Sequence, residues 1–391
     1  MNMAQAEKKL MKTINFNTNS AKRTVQTLLH KAGITLDGTQ PWDIQVNNLR
    51  FYHAVLAQGS LGLGESYMLG WWDCDALDVC VTKLFRANLF EQYALSFKTR
   101  CDIMLHKLFN FQTKPLAVDV AHLHYDLSNE LYRKMLDQTM SYSCGYWKDS
   151  ATLQQAQYAK LDLLCRKLYL KPGMHLLDIG CGWGGMARYA AKYYGVQVTG
   201  VTISQQQFQY AQEYCRDLPV TILLKDYRDI VGKFDRVVSI GMFEHVGYKN
   251  YQEYMQIVNR CLTPDGLCAL HTIGSRKTRN MGEPWMEKYI FPHGMLPSIK
   301  QIGAAIEGLF VMEDWHNFGA DYDKTLMAWY QNFQVAWPDL CLHNPKFNDT
   351  FRRMWRYYLL TCAGAFRARH MQLWQIILSK TGVEGGYVSV R

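Results

Sequence analysis

The chain has 391 residues, of which 48% are apolar, enough for two or three domains around a large core. Lys and Arg total 43 against 34 Asp and Glu, and the net charge of +9 favours an anionic partner: nucleic acid, a phospholipid surface or an acidic substrate. Eleven cysteines, an odd number with no Cys-x-x-Cys pair, argue against a disulfide framework and for reduced thiols in a cytosolic protein.

The chain opens without an apolar signal segment. No apolar run approaches the ~20 residues that span a bilayer. A protein that touches a membrane without crossing it is expected. The 24 Tyr, 11 Trp and 18 Met suit a large core or a large apolar binding surface equally well.

Residues 1–115 read as a mainly helical first domain. A helix is expected over 20–31, opened by a capping serine. Residues 43–55 are mixed, with room for a strand. The stretch 59–75 is dense in glycine, but no Lys-Ser or Lys-Thr follows, which argues against a phosphate loop. Packing or a lipid-facing role suits it better. Helices are expected over 77–86 and 92–109, and 111–115 (Phe-Gln-Thr-Lys-Pro) is the best linker. A second domain then covers 116–391. It starts with a helical stretch over 117–137, interrupted near 125–128. A polar and aromatic loop follows over 140–147, then an amphipathic helix over 152–170 that Lys-Pro-Gly ends.

From there strands alternate with helices. Strands are expected at 175–179, 197–203, 220–225, 236–240, 267–273, 310–317 and 373–379. Helices fit at 205–215, 248–261 and 298–307, with a long aromatic-rich pair over 322–369. This alternation predicts an α/β fold, a mostly parallel sheet with helices on both faces. Seven strands, with Leu-Leu-Asp-Ile-Gly-Cys-Gly-Trp-Gly-Gly over 176–185 after the first, match the class I S-adenosylmethionine (SAM)-dependent methyltransferase plan.

Ligands of such sheets sit at the carboxyl ends of the strands. The candidates there are Asp178, Gly180 and Gly182 after the first strand, and Gly200, Thr202, Ser204 and Gln207 after the second. Asp226 and Tyr227 follow the third. Glu244 follows the fourth and His271 the fifth. Thr202 stands where many nucleotide-binding folds carry a ribose-binding acid. Glu244 and His271 follow adjacent strands and are expected to converge, with Cys144 closing over them. One His, one Glu and one Cys without ligand spacing make a poor zinc pattern. The alternative is a small anion or substrate held by hydrogen bonds.

These residues resemble the cyclopropane-fatty-acyl-phospholipid synthases in their long two-domain bacterial form. The matching stretches are 59–75, 142–147, 177–185, 200–204, 226–229, 241–247, 271–274, 288–292, 313–322 and 362–369, nearly the whole chain. The resemblance implies transfer of a methylene from SAM to a cis double bond of a phospholipid acyl chain. It also implies a bicarbonate ion as general base, held by Cys144, Glu244, His271, the backbone of Ile273, and Tyr322. Cys362 corresponds to a cysteine sometimes marked as active, and Tyr142 and Ser143 fall in the cofactor set. The first domain would help membrane binding and accompany homodimerisation. Localisation would be cytoplasmic, peripheral to the inner face of the membrane.

A carbocation on the acyl chain has to be kept from water in an aromatic-walled cavity. Tyr125, Trp147, Phe243, Tyr289, Phe291 and Tyr322 are candidates for its wall. Lys346, Arg352, Arg353, Arg356, Arg367 and Arg369, interleaved with aromatics, are candidates for lipid headgroups. Three other readings compete: a relative that adds a methyl branch, a non-catalytic lipid-binding or scaffold protein, and an RNA methyltransferase. No RNA-binding signature is present, so no nucleic-acid partner is expected.

Overall fold

The computed structural model describes residues 18–89 and 129–391. The expected helix over 92–109, the linker, the boundary at 115 and Tyr125 lie outside the described residues.

Helix α1 (Thr18–Lys31) buries Ala21, Val25 and Leu29, one face at a four-residue spacing. Helices α2 (Arg50–Gln58) and α3 (Ser60–Met68) follow, and α4 (Leu77–Arg86) closes the first region. Strand β1 (Gln45–Val46) pairs antiparallel with β2 (Trp72–Asp73). Helix α3 thus occupies half of the glycine-dense stretch. Its glycines serve close packing: a Cβ on Gly64 would lie 2.4 Å from the Trp285 ring. Of the two roles expected there, the structure supports packing.

Helix α5 (Asn129–Met135) leads into the loop over 140–147. Helix α6 (Leu153–Lys167) starts at a capping box between Thr152 and Gln155. Seven strands then form one sheet: β3 (His175–Ile179), β4 (Gln197–Thr202), β5 (Val220–Leu224), β6 (Phe234–Ile240), β7 (Leu262–Ser275), β8 (Val311–Asn317) and β9 (Met371–Ser379). Their order is β5-β4-β3-β6-β7-β9-β8. The pairs from β5 through β7 are parallel, and β9 runs antiparallel to both neighbours. Order and direction are those of the expected class I methyltransferase sheet, and each expected strand is present. The chain order reverses between β4 and β6, on either side of β3, which makes the end of β3 the ligand-binding switch point.

Helices α7 (Gly185–Tyr194), α8 (Gln205–Tyr214), α9 (Tyr251–Cys261), α10 (Pro284–Tyr289) and α11 (Ile299–Ile306) occupy the connections. The last two, α12 (Ala320–His343) and α13 (Asp349–Arg367), precede β9. One buried cluster runs from Ala21 and Val25 through Trp72 and Leu77 to Trp329 and Trp355, so the first helices share a core with α12 and α13.

Three of the six expected headgroup residues are spent inside this joint. Arg353 donates to the Tyr67 carbonyl (2.6 Å), the Trp72 carbonyl (2.8 Å) and Asp73 (2.7 Å). Arg356 donates to the Tyr67 hydroxyl and to the carbonyls of Cys74 (3.0 Å) and Asp75 (2.9 Å). Arg367 bridges Asp78 on α4 and Asp323 on α12. The periodicity of α13 carried no information about what faces it. Only Lys346, Arg352 and Arg369 of that set are exposed.

Candidate active site

The loop after β3 turns at Gly180 and Gly182, whose φ of 80° and 55° fall in the left-handed region that favours glycine. The amides of Gly180 and Cys181 both donate to the Val201 carbonyl, which ties the loop to β4. A cleft opens above it. Its lining includes Tyr142, Ser143, Asp178, Gly180, Gly182, Thr202, Gln207, Asp226 and Tyr227, nine of the eleven residues expected to hold the cofactor.

The other two, Gly200 and Ser204, stand behind the cleft. A Cβ on Gly200 would meet Ile222 and Cys181 at 2.9 and 3.0 Å, so this position serves packing. Ser204 caps α8 by accepting the Gln207 amide. Thr202 donates to the Gln207 side-chain carbonyl at 2.9 Å, a neutral pair where related folds carry an acid.

Asp178, at the end of β3, is 1% exposed, and its Oδ2 has no hydrogen-bond partner. Burial pushes its carboxyl up to about 7 against the opposing charge of Lys160. Lys160, from α6, is equally buried, and burial lowers its ammonium to about 8. Its Nζ donates to Ser143 Oγ at 3.0 Å. Reading strand ends missed Lys160. The available signal was a lysine in line with Ala156 and Leu164, both buried on α6. His245, also on the cleft wall, was passed over within the 241–247 stretch; burial lowers it to about 4.

Hydrogen bonds join the stretches that carry Glu244 and His271. The His271 carbonyl accepts the Gly241 amide at 2.9 Å, and Glu244 Oε1 accepts the Ile273 amide at 2.7 Å. Ile273 thus meets Glu244 through its backbone N–H. Glu244 Oε2 is buried without a partner, and burial raises the carboxyl to about 7. His271 Nδ1 lies 3.3 Å from the Gln375 amide, while Nε2 is buried and unpartnered. With Gln375 assigned as the donor through Nε2, the imidazole proton belongs on His271 Nε2, where it is free to donate. Burial, then the charges of Lys160 and Lys167, hold this histidine neutral.

Cys144 is fully buried, and burial pushes its thiol well up. Tyr322, in the first turn of α12, is also buried, and burial raises its phenol. Among the described residues no group of His, Cys, Asp and Glu is arranged to hold a metal ion. An acid, an imidazole N–H, a thiol and a phenol suit a small oxyanion better. Cys362, on α13, is held protonated: burial, then Glu283, raises its thiol to about 12. A nucleophilic thiolate does not form readily there.

Aromatic rings pack on one another around Tyr142 and Tyr322. The Tyr142 and Tyr358 hydroxyls are 2.8 Å apart. Tyr142 lies 5.2 Å from Trp329, and Tyr322 lies 4.5 Å from Phe366, centroid to centroid. Phe291 meets Tyr358 at 5.7 Å. Of the residues expected in such a wall, Phe291 and Tyr322 belong to this group of rings. Phe243 instead stacks on Tyr251, Trp147 donates to Thr325, and the Tyr289 hydroxyl turns to Glu65. Trp329, Tyr358 and Phe366 replace them, all from the long helix pair.

Residues 112–376 match the family model described as mycolic acid cyclopropane synthetase. The chain is 56% identical over 364 residues to a cyclopropane-fatty-acyl-phospholipid synthase of Escherichia coli (strain K12), covering 93% of this chain and 94% of that one. It is 40% identical to a probable fatty acid methyltransferase of Pseudomonas putida, over 67% of this chain and 69% of that one. Among solved structures, the cyclopropane synthase MmaA2 from Mycobacterium tuberculosis superposes with a TM-score of 0.62 at 32% identity, over 67% of this chain and 98% of that one. The mycolic acid cyclopropane synthase CmaA1, solved with SAH and CTAB, gives 0.61 at 33%, over 67% and 98%. Sheet order, strand-end residues and these likenesses together show that the chain belongs to the cyclopropane synthetase family of SAM-dependent methyltransferases.

Proposed function

We propose that the protein transfers a methylene from SAM to the cis double bond of an unsaturated phospholipid acyl chain, forming a cyclopropane ring. The observation that carries this reading is the pair of desolvated, unpartnered atoms Glu244 Oε2 and His271 Nε2, from adjacent strand ends near an aromatic wall. An alkene is a weak nucleophile, so it needs a sulfonium as methyl donor. The C–S bond breaks as the alkene takes the methyl carbon, leaving a neutral thioether and a cation on the chain. A proton then leaves the new methyl group and the ring closes.

The chain's own residues supply three things. Asp178 and the glycine turn hold the cofactor in the cleft. Tyr142, Trp329, Tyr358 and Phe291 exclude water and face positive charge with π electrons, worth ~0.5–2 kcal/mol each. Glu244, His271, Cys144 and Tyr322 would hold bicarbonate, and the two orphan polar atoms fit it: His271 Nε2 donates, and Glu244 Oε2 accepts a hydroxyl proton. Bicarbonate, when bound, supplies the base that takes the proton. The His271 Nε2–H offsets part of the desolvation cost of a buried anion. Among the described residues no helix is long and apolar enough to cross a membrane.

The test is incubation with SAM and vesicles of a monounsaturated phospholipid, followed by lipid mass spectrometry before and after catalytic hydrogenation. A gain of one CH2 that then resists hydrogenation supports ring formation. A product that keeps its alkene, or that carries a saturated methyl branch, overturns it. Dependence of the rate on added bicarbonate tests the base. Glu244→Ala is expected to lower turnover by ~10²–10⁴-fold while SAH affinity holds.

A further inference from the structure

A lysine buried in the apolar face of a helix has an unmet need for negative charge. Lys160 sits on α6 between Ala156 and Leu164, 1% exposed, and lines the cofactor cleft. Its one hydrogen bond among the described residues runs to Ser143 Oγ, at 3.0 Å. An ammonium carries three protons, so two lack acceptors. Asp178 lines the same cleft and carries the opposite need, with Oδ2 buried and unpartnered. Lys160 feels the charge of Asp137 first and of Asp178 less, yet no ion pair joins it to either acid. Lys160 and Asp178 are each desolvated, and they hold opposite charges apart across one cleft.

An α-amino acid zwitterion complements that arrangement. We propose that Lys160 is a specificity-determining residue that receives the carboxylate of the cofactor's amino-acid end while Asp178 receives its ammonium. Ser143 holds the lysine in position, and the cleft then selects nucleosides bearing an intact amino acid over those without one. The inference rests on the SAM reading above and adds a residue that reading did not require. A structural role explains the site less well, because a lysine that only filled space is outperformed by methionine of similar volume.

The test is titration calorimetry on the full chain with three ligands. They are SAH, its decarboxylated analogue that keeps the ammonium, and 5′-methylthioadenosine, which has neither group. The wild type is expected to prefer SAH over the decarboxylated analogue by ~10–100-fold, the range of a charged hydrogen bond. Lys160→Met is expected to abolish that preference, with both carboxylate-free ligands bound within about twofold of wild type. Lys160→Arg, which keeps the charge, is expected to restore part of it. Equal losses for all three ligands would assign Lys160 to folding, or to an anion other than the carboxylate, and overturn the proposal. So would unchanged SAH affinity. If Lys160→Met does not fold, the wild-type preference and Lys160→Gln carry the same comparison. A wild type that binds no SAH at all overturns the SAM reading itself, a separate result.

Discussion

Burial holds the Glu244 carboxyl at about 7, against an ordinary 4.5. Between those values the folded protein keeps a proton that the unfolded chain has released. Stability from this group therefore falls as pH rises from 4.5 to about 7, and stays reduced above. A gap of that size corresponds to about 3 kcal/mol. Glu244→Gln keeps the shape and removes the charge. Its thermal midpoint is expected above wild type at pH ~8 and level with it below pH ~4.5, while turnover falls ~10²–10⁴-fold throughout. A variant less stable than wild type at alkaline pH would mean that the bond from the Ile273 amide needs a charged acceptor. Asp178, Glu244 and His271 were legible in the sequence because the position after a strand follows from local alternation. Lys160 was not: a lysine in a helix is ordinarily solvated, and only the fold reveals what α6 packs against.

Helix α3 forms against the grain of its composition. Glycine density over 59–75 weighs against a helix there, since glycine costs a helix about 1 kcal/mol per residue. Packing overrides that cost here, because the Trp285 ring occupies the space a side chain at 64 would take. Gly64→Val is therefore expected to force α3 off α10, costing ~1–3 kcal/mol, and to lower the thermal midpoint by several degrees. Gly59→Ala makes a useful contrast: nothing lies within 4 Å of its Cβ, so any loss there reports its φ of 58° alone. If the two substitutions cost the same, close approach to Trp285 is not what retains Gly64. The aromatic wall was illegible for a related reason. Trp329, Tyr358 and Phe366 meet through the packing of α12 on α13, a contact no local pattern encodes.

At the scale of the whole molecule, the first helices and the catalytic part are joined by charge as well as by a shared core. Glu65 on α3 is buried, pairs with Lys288, and accepts the Tyr289 hydroxyl at 2.9 Å. Both partners end α10, two or three residues before Phe291, whose ring faces Tyr142 and Tyr358. The joint thus reaches the wall of the proposed acyl site. Glu65→Ala is expected to cost ~1–3 kcal/mol in stability, because Lys288 is partly exposed and regains water. Its sharper effect is on function. Turnover on phospholipid vesicles should fall about tenfold or more as α10 loosens and water enters, while calorimetric SAH affinity stays within about twofold. Parallel losses of SAH affinity and turnover would show that α3 supports the whole catalytic part, not its lipid side. Arg356→Ala breaks the same joint on the opposite flank, at Tyr67, Cys74 and Asp75. It is expected to hasten proteolysis of the first helices without weakening vesicle binding, whereas Lys346→Ala with Arg352→Ala weakens binding to anionic vesicles by ~1 kcal/mol per charge. Should Arg356→Ala reduce vesicle binding as much as that pair, the arginines of α13 serve the lipid surface and the joint is secondary.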